Sequence, residues 1–187
     1  MNADINIVRK NIVGLERGKV ALMPHNPEWD NIFQSEKKRL LKALGKTVLD
    51  IQHVGSTAIP NISAKPIIDI AILVTSLGET GKRAGLMEKL GYYKKKEERK
   101  DRLLFIKGPE EDRMVYVHIG DGSSDEVREM ILFRDHLLQN PAVAEEYMRM
   151  KQKLAGKYPH DRESYTAAKG EFIKQMLQVF KKNEEKF

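Results

Sequence analysis

The sequence predicts an α+β domain, on three observations. Apolar or alternating runs bounded by turn residues recur at 47–54, 67–74, 92–96, 103–107 and 114–119, the pattern of strands. A strong set of helix signals runs from Asn26-Pro27-Glu28 to Gly45, ahead of the first of them. From Ser123 onward the strand signals stop and three stretches of helical periodicity follow. The 187 residues suffice for one such domain with a sizeable core. We divide it into an arm at 1–18, an α/β core at 19–122, a helical part at 123–182 and a tail at 183–187.

Residues 1–25 alternate weakly and predict an arm followed by a short strand around Val20 and Leu22. Asn26-Pro27-Glu28 is a helix start: an Asn cap, proline in the first turn, and an acid near the positive end of the dipole. Gly45 stops that helix. Its apolar stripe is Trp29, Phe33, Leu40 and Leu44, and Glu36 falls on the same stripe. An acid there needs a partner, either a lysine or arginine at the rim or a role in a site. The strand at 47–54 leads into a Gly55-Ser56 turn, and Pro60 and Pro66 limit any helix before the apolar strand at 67–74. Residues 78–91 read as one helix with Leu86, Met87 and Leu90 inward. The strand at 114–119 places Met114, Tyr116 and His118 on one face. In the helical part, Ser124-Asp125-Glu126 caps a helix carrying Val127, Ile131 and Leu138 that ends before Pro141. A second spans about 142–157, and a third begins at Asp161 with Tyr165, Phe172, Met176 and Phe180.

Hydrophobic residues at 41% and charged residues at 32% describe a soluble globular protein. The absence of cysteine excludes disulfides and cysteine-based zinc or nucleophile sites, and is compatible with a reducing cytoplasm. No apolar run approaches the roughly 20 residues that span a bilayer, and the N-terminus lacks a secretory apolar segment. The expectation is a cytoplasmic protein without a membrane partner. A net charge of +6 favours anionic partners: nucleotides, phosphorylated metabolites or nucleic acid. The run at 94–102 mixes both signs and reads as a solvated hairpin edge, with an RNA-contacting strip as the lesser alternative.

One carboxylate, Asp69, interrupts the apolar run at 67–74. A bare acid in a strand otherwise buried on both faces is costly unless it is paired, hydrogen-bonded or holding a cation. The Gly55-Ser56 turn precedes it and offers backbone N–H groups and a hydroxyl where phosphate can dock. Lys151 and Lys169 fall on apolar helical stripes, where a lysine either snorkels to the rim or faces a site. Arg134 and Asp135 suggest a structural ion pair. Together with His118, these residues fit a nucleoside triphosphate site, with Ser56 on phosphate, Asp69 on Mg²⁺, and Arg134, Lys151 and Lys169 on the triphosphate tail.

The runs at 20–44, His53-Val-Gly-Ser-Thr-Ala-Ile-Pro, Ala64-Lys-Pro-Ile-Ile-Asp-Ile and Leu132-Phe-Arg-Asp-His-Leu, with the Tyr147…Lys151 and Tyr165…Lys169 pairs, resemble the GrpB family. The likeness covers roughly residues 18–180. That family resembles a branch of the polymerase-beta-type nucleotidyltransferase superfamily, which implies a mixed sheet backed by helices. The superfamily pattern is Gly-Ser, then Asp-x-Asp on a strand, then a third carboxylate on a later strand. Gly55, Ser56 and Asp69 match it, and Thr57 and Lys65 join the implied phosphate-binding set. The second acid of the pair falls at Ala71 and the third at His118, which weakens the metal site. His118 is then a metal ligand, a general base or a structural histidine. His53 could meet it around a softer cation, and Glu36 could restore the missing carboxylate. The resemblance implies Mg²⁺ or Mn²⁺ and transfer of a nucleotidyl or pyrophosphoryl group to a small acceptor. The alternative is a non-catalytic module that senses an anion or docks a partner.

Overall fold

The structure, a computed structural model, describes residues 12–16, 18–96, 101–109 and 111–184. Most of the expected arm, the centre of the 94–102 run and the end of the tail lie outside the described residues. In chain order the elements are β1 (Leu15–Glu16), α1 (Glu28–Leu44), β2 (Val48–Val54), β3 (Ile68–Val74), α2 (Leu77–Gly81), α3 (Ala84–Lys89), β4 (Tyr92–Lys94) and β5 (Leu103–Lys107). β6 (Asp112–Arg113), β7 (Val115–Gly120), α4 (Asp125–Gln139), α5 (Pro141–Lys157) and α6 (Arg162–Glu184) complete them. Helix α1 begins where the sequence signals it, with Asn26 Oδ1 accepting from the Glu28 N–H at 3.0 Å.

The main sheet has the order β2-β3-β7-β5-β4. β3 and β7 run parallel and the other pairs are antiparallel, so the sheet is mixed. Alternation along the central strand β3 separates two environments. Ile68, Ile70, Ile72 and Val74 are fully buried in the main core with Trp29, Phe33, Leu40 and Leu44 of α1. Asp69, Ala71 and Leu73 point to the opposite face, where Val54, Ala71 and Val127 pack beneath α4. A second core joins Ile59 and Ile62 of the β2–β3 connection to Phe133, Leu137, Tyr147, Leu177 and Phe180 of the C-terminal helices. The space between these two packed regions holds the site.

Several expectations need correction. Residues 78–91 form two short helices broken at Arg83 (φ −93°, ψ 7°), and Leu86 is exposed while Met87 is buried. Glycines at 78, 81 and 85 lower helix propensity throughout this stretch. Val20 and Leu22 lie in no strand; Val20 N–H donates to Pro159 O, and Met23 makes a single bridge to Ala64. The small β1–β6 pairing, Leu15 opposite Arg113, was not foreseen. Ser124 occupies the N-cap position of α4, but its hydroxyl makes no capping bond: it is buried without a hydrogen-bond partner, packed beside Gly120. On α4, Leu137 faces inward and Leu138 is exposed.

Candidate functional site: an anion cavity between sheet and helices

A cavity of about 510 Å³ opens between the Asp69 face of the sheet, the turn after β2, and helices α4, α5 and α6. Its floor is set by register: Asp69 lies opposite Val54 and Tyr116, and Ala71 opposite His118. Gly55 adopts φ 72°, and a Cβ there would lie 2.5 Å from Asp69 Oδ2. The turn therefore approaches the carboxylate as closely as only glycine permits. Beside it, the Ser56 and Tyr147 hydroxyls are 3.2 Å apart, at the cavity wall. The Thr57 hydroxyl turns inward, donating to Ile67 O at 3.1 Å and accepting from His53 Nε2–H at 3.0 Å.

Asp69 sits in a chain of polar contacts. Arg102 Nη1 donates to His118 Nδ1 at 3.3 Å, because a guanidinium has only donors. His118 Nδ1 is then the acceptor, and Nε2–H donates to Asp69 Oδ1 at 3.4 Å. Burial pushes the Asp69 carboxyl up, but the His118 contact and the Lys169 and Lys65 ammoniums outweigh it and hold it below the usual range. Arg102 is itself ion-paired with Glu126.

The opposite wall is cationic. Lys151 is fully buried and donates to Ser63 O at 2.5 Å, with its ammonium 4.7 Å from the Tyr147 ring. It does not snorkel. The half-buried Lys65 lies 4.9 Å over the Tyr165 ring. Burial lowers both lysines to about 7, helped by repulsion from Lys169 and, for Lys65, from Arg162. Lys169 and Arg162 line the same end from α6, and Arg162 donates to Tyr116 Oη at 3.2 Å. Among the described residues, none of these four cations forms an ion pair with a carboxylate; the other lining acids, Glu126 and Glu129, are paired with Arg102 and Lys181.

Three residues foreseen for the site play other parts. Arg134 reaches the cavity, but its guanidinium is engaged by His53 O at 2.6 Å, by the Gln52 amide oxygen and by Asp135, the expected ion pair. His53 pairs with Ile70 and so faces α1, stacked on Phe33, with burial lowering it to about 4. Glu36 is buried on α1, where it accepts from Tyr92 Oη at 2.8 Å and pairs with Lys107 at 2.7 Å. Neither His53 nor Glu36 lines the cavity. The donors present do not fit a carboxylate-held Mg²⁺ or Mn²⁺ centre. The Ala71 side chain supplies no ligand, Nδ1 of His118 faces Arg102, and among the described residues no group of three His, Cys, Asp or Glu could hold a metal ion.

The GrpB protein family matches residues 19–179. This chain belongs to the GrpB family. The glutamate-rich protein GrpB of Alkalihalophilus pseudofirmus is 37% identical over 171 residues, covering 89% of this chain and 98% of that one. The crystal structure of the conserved protein GrpB from Enterococcus faecalis shares 31% identity and a TM-score of 0.81, over 88% of this chain and 99% of that one. A dephospho-CoA kinase of Mycolicibacterium paratuberculosis is 28% identical over 184 residues, covering 83% of this chain and 44% of that protein.

The sequence reading of this GrpB chain missed Arg102, Arg162, Tyr116 and Tyr165 as cavity residues. Three of them carried a signal. Tyr116 shares the alternating face of His118, and Arg162 and Tyr165 precede Lys169 by seven and four positions, on one helical stripe. Among the described residues no helix of this chain is long and apolar enough to cross a membrane.

Proposed function

We propose that this GrpB chain binds a phosphorylated small molecule in the cavity, with a nucleoside di- or triphosphate as the favoured class. One observation carries the reading: four basic side chains, Lys65, Lys151, Lys169 and Arg162, converge on one cavity with Asp69 as the facing acid. Like charges held together in a partly dry space destabilise one another unless an anion joins them. The Gly55-Ser56 turn lines the same cavity and adds a hydroxyl suited to phosphate. The body of the ligand belongs in the apolar part, lined by Leu104, Met130, Phe133, Ile173 and Leu177. Along α6, Lys169, Ile173 and Leu177 form one stripe, and a rise of about 1.5 Å per residue separates its two ends by roughly 12 Å. That span suits a phosphate chain at the Lys169 end and a base or comparable apolar group beyond it.

Thermal unfolding with a ligand panel tests this proposal. Dephospho-CoA belongs in the panel beside ATP, GTP, UTP and their diphosphates, because a relative bears the name dephospho-CoA kinase. A binder at a hundredfold its Kd stabilises the native state by about 2.7 kcal/mol, a rise of roughly 5–10 °C in Tm for a domain of this size. No shift with any of them at millimolar concentration sinks the proposal. Transfer of a nucleotidyl or pyrophosphoryl group is the second reading, favoured by Ser56 and Asp69 facing the same cavity. It requires a new product by mass spectrometry that disappears in Asp69→Asn.

A further inference from the structure

We infer that the cavity takes its polyphosphate free of divalent cation, with the lysines and Arg162 supplying the positive charge that a metal would otherwise bring. The inference rests on the ligand class proposed above and concerns the state in which that ligand arrives.

The geometry on both walls supports it. On the sheet side, Asp69 stands where a metal would be held, and each neighbouring position lacks a free donor. Ala71, one alternation further along β3, has no polar side-chain atom. His118, opposite Ala71 on β7, points its N–H at Asp69 and its lone pair at Arg102. Ser56 faces the Tyr147 hydroxyl. An octahedral Mg²⁺ bound through Asp69 alone would depend on water and phosphate for every other ligand.

On the helix side the charge balance points the same way. Lys65 from the β2–β3 connection, Lys151 from α5, and Lys169 and Arg162 from α6 surround the cavity, with Asp69, held by His118, as the acid facing them. Glu126 and Glu129 of α4 are held by Arg102 and Lys181, and Arg134 of α4 by Asp135. A cation carried in on the phosphates would therefore enter a region already in excess of positive charge. A bare di- or triphosphate instead gives each of these side chains an oxygen to bond, and charge-assisted bonds of this kind are the strong ones. Burial first, and then the neighbouring cations, depress Lys65 and Lys151, as befits ammoniums gathered before their anion arrives.

Isothermal titration of the full chain with the best-binding nucleotide, once in EDTA and once in excess magnesium, tests the inference. Affinity is expected to be tighter in EDTA by about tenfold, the worth of one charge-assisted contact. Lys169→Met is expected to weaken binding in EDTA by about tenfold or more on the same grounds; this lysine is half-exposed, which favours a folded variant. Asp69→Asn keeps the shape beside Gly55 and still accepts from His118, so it should bind the metal-free nucleotide as tightly as the parent or more so. Binding that requires magnesium, or that vanishes in a folded Asp69→Asn protein, overturns the inference while leaving the ligand class intact. Binding in neither buffer removes the functional proposal itself.

Discussion

Gly55 shows how a single residue sets the site. Its φ of 72° lies in the region that side chains with a Cβ rarely adopt, and a Cβ would also press on Asp69 Oδ2 at 2.5 Å. Two costs therefore add at this position: strain of about 1–2 kcal/mol from the left-handed backbone, and the displacement of a hydrogen-bonded carboxylate. Gly18 isolates the first, since its φ is 84° and nothing lies within 4 Å of the added methyl. Gly55→Ala is expected to lose about 2–4 kcal/mol by urea unfolding, against about 1 kcal/mol for Gly18→Ala. Equal losses at the two sites would mean that the turn and Asp69 are not in close approach. Arg102 decides which imidazole nitrogen carries the proton, and that leaves His118 positioning Asp69 by a donated hydrogen bond.

Helix α1 is tied to the edge of the sheet by one buried acid. Glu36 accepts from the Tyr92 hydroxyl on β4 and pairs with Lys107 at the end of β5, and Arg39 closes the group at 3.2 Å. Burial and then the Glu36 carboxylate push the Tyr92 phenol upward, so it remains a donor. Removing one member of a buried charged group leaves the rest unpaired. Glu36→Ala is expected to cost about 3–5 kcal/mol in urea unfolding while nucleotide affinity stays unchanged, because the group lies on the face away from the cavity. A change in affinity larger than the change expected from stability would return Glu36 to the site. The same helix shows what was legible in the sequence. The 3.6-residue stripe, the Asn26 cap and the Gly45 stop are local features, and they located α1 to within a residue. Whether Glu36 served a rim pair or a site depended on which sheet face α1 covers, and that is fixed by pairings between distant strands. His53 follows the same rule: its neighbour Val54 packs with Ala71 and Val127 on the cavity side of the sheet, and alternation on β2 turns the imidazole toward Phe33. Asp69, Lys151 and Lys169 were legible because each breaks an apolar pattern, and Lys65 only through the family resemblance. Arg102 was not, because it ends a run of mixed charges and only the β5–β7 pairing brings it to His118.

At the scale of the whole molecule, stability and ligand binding draw on the same cations. Lys65 and Lys151 have pKa values near 7 in the folded chain, against 10.5 ordinarily. Between those values the unfolded chain holds more protons than the folded one, so stability increases as pH rises. Below about pH 7 both states are protonated, the slope from these groups vanishes, and the full cost of gathering the charges is present. Each lysine contributes at most about 1.4 kcal/mol per pH unit inside the window. His53 acts in the same direction but lower, between about 4 and its ordinary 6.5, and so does not enter the window above pH 7. The ligand-free chain is therefore expected to gain about 2–4 kcal/mol in urea unfolding between pH 7 and pH 9. A bound polyphosphate gives the ammoniums partners, raises their pKa values and reverses the trend, because affinity then falls as the lysines lose their protons. Saturating nucleotide should flatten or invert the slope measured without it. A ligand-free chain whose stability is level or falls between pH 7 and pH 9 would show that Lys65 and Lys151 are not held as a strained cationic pair.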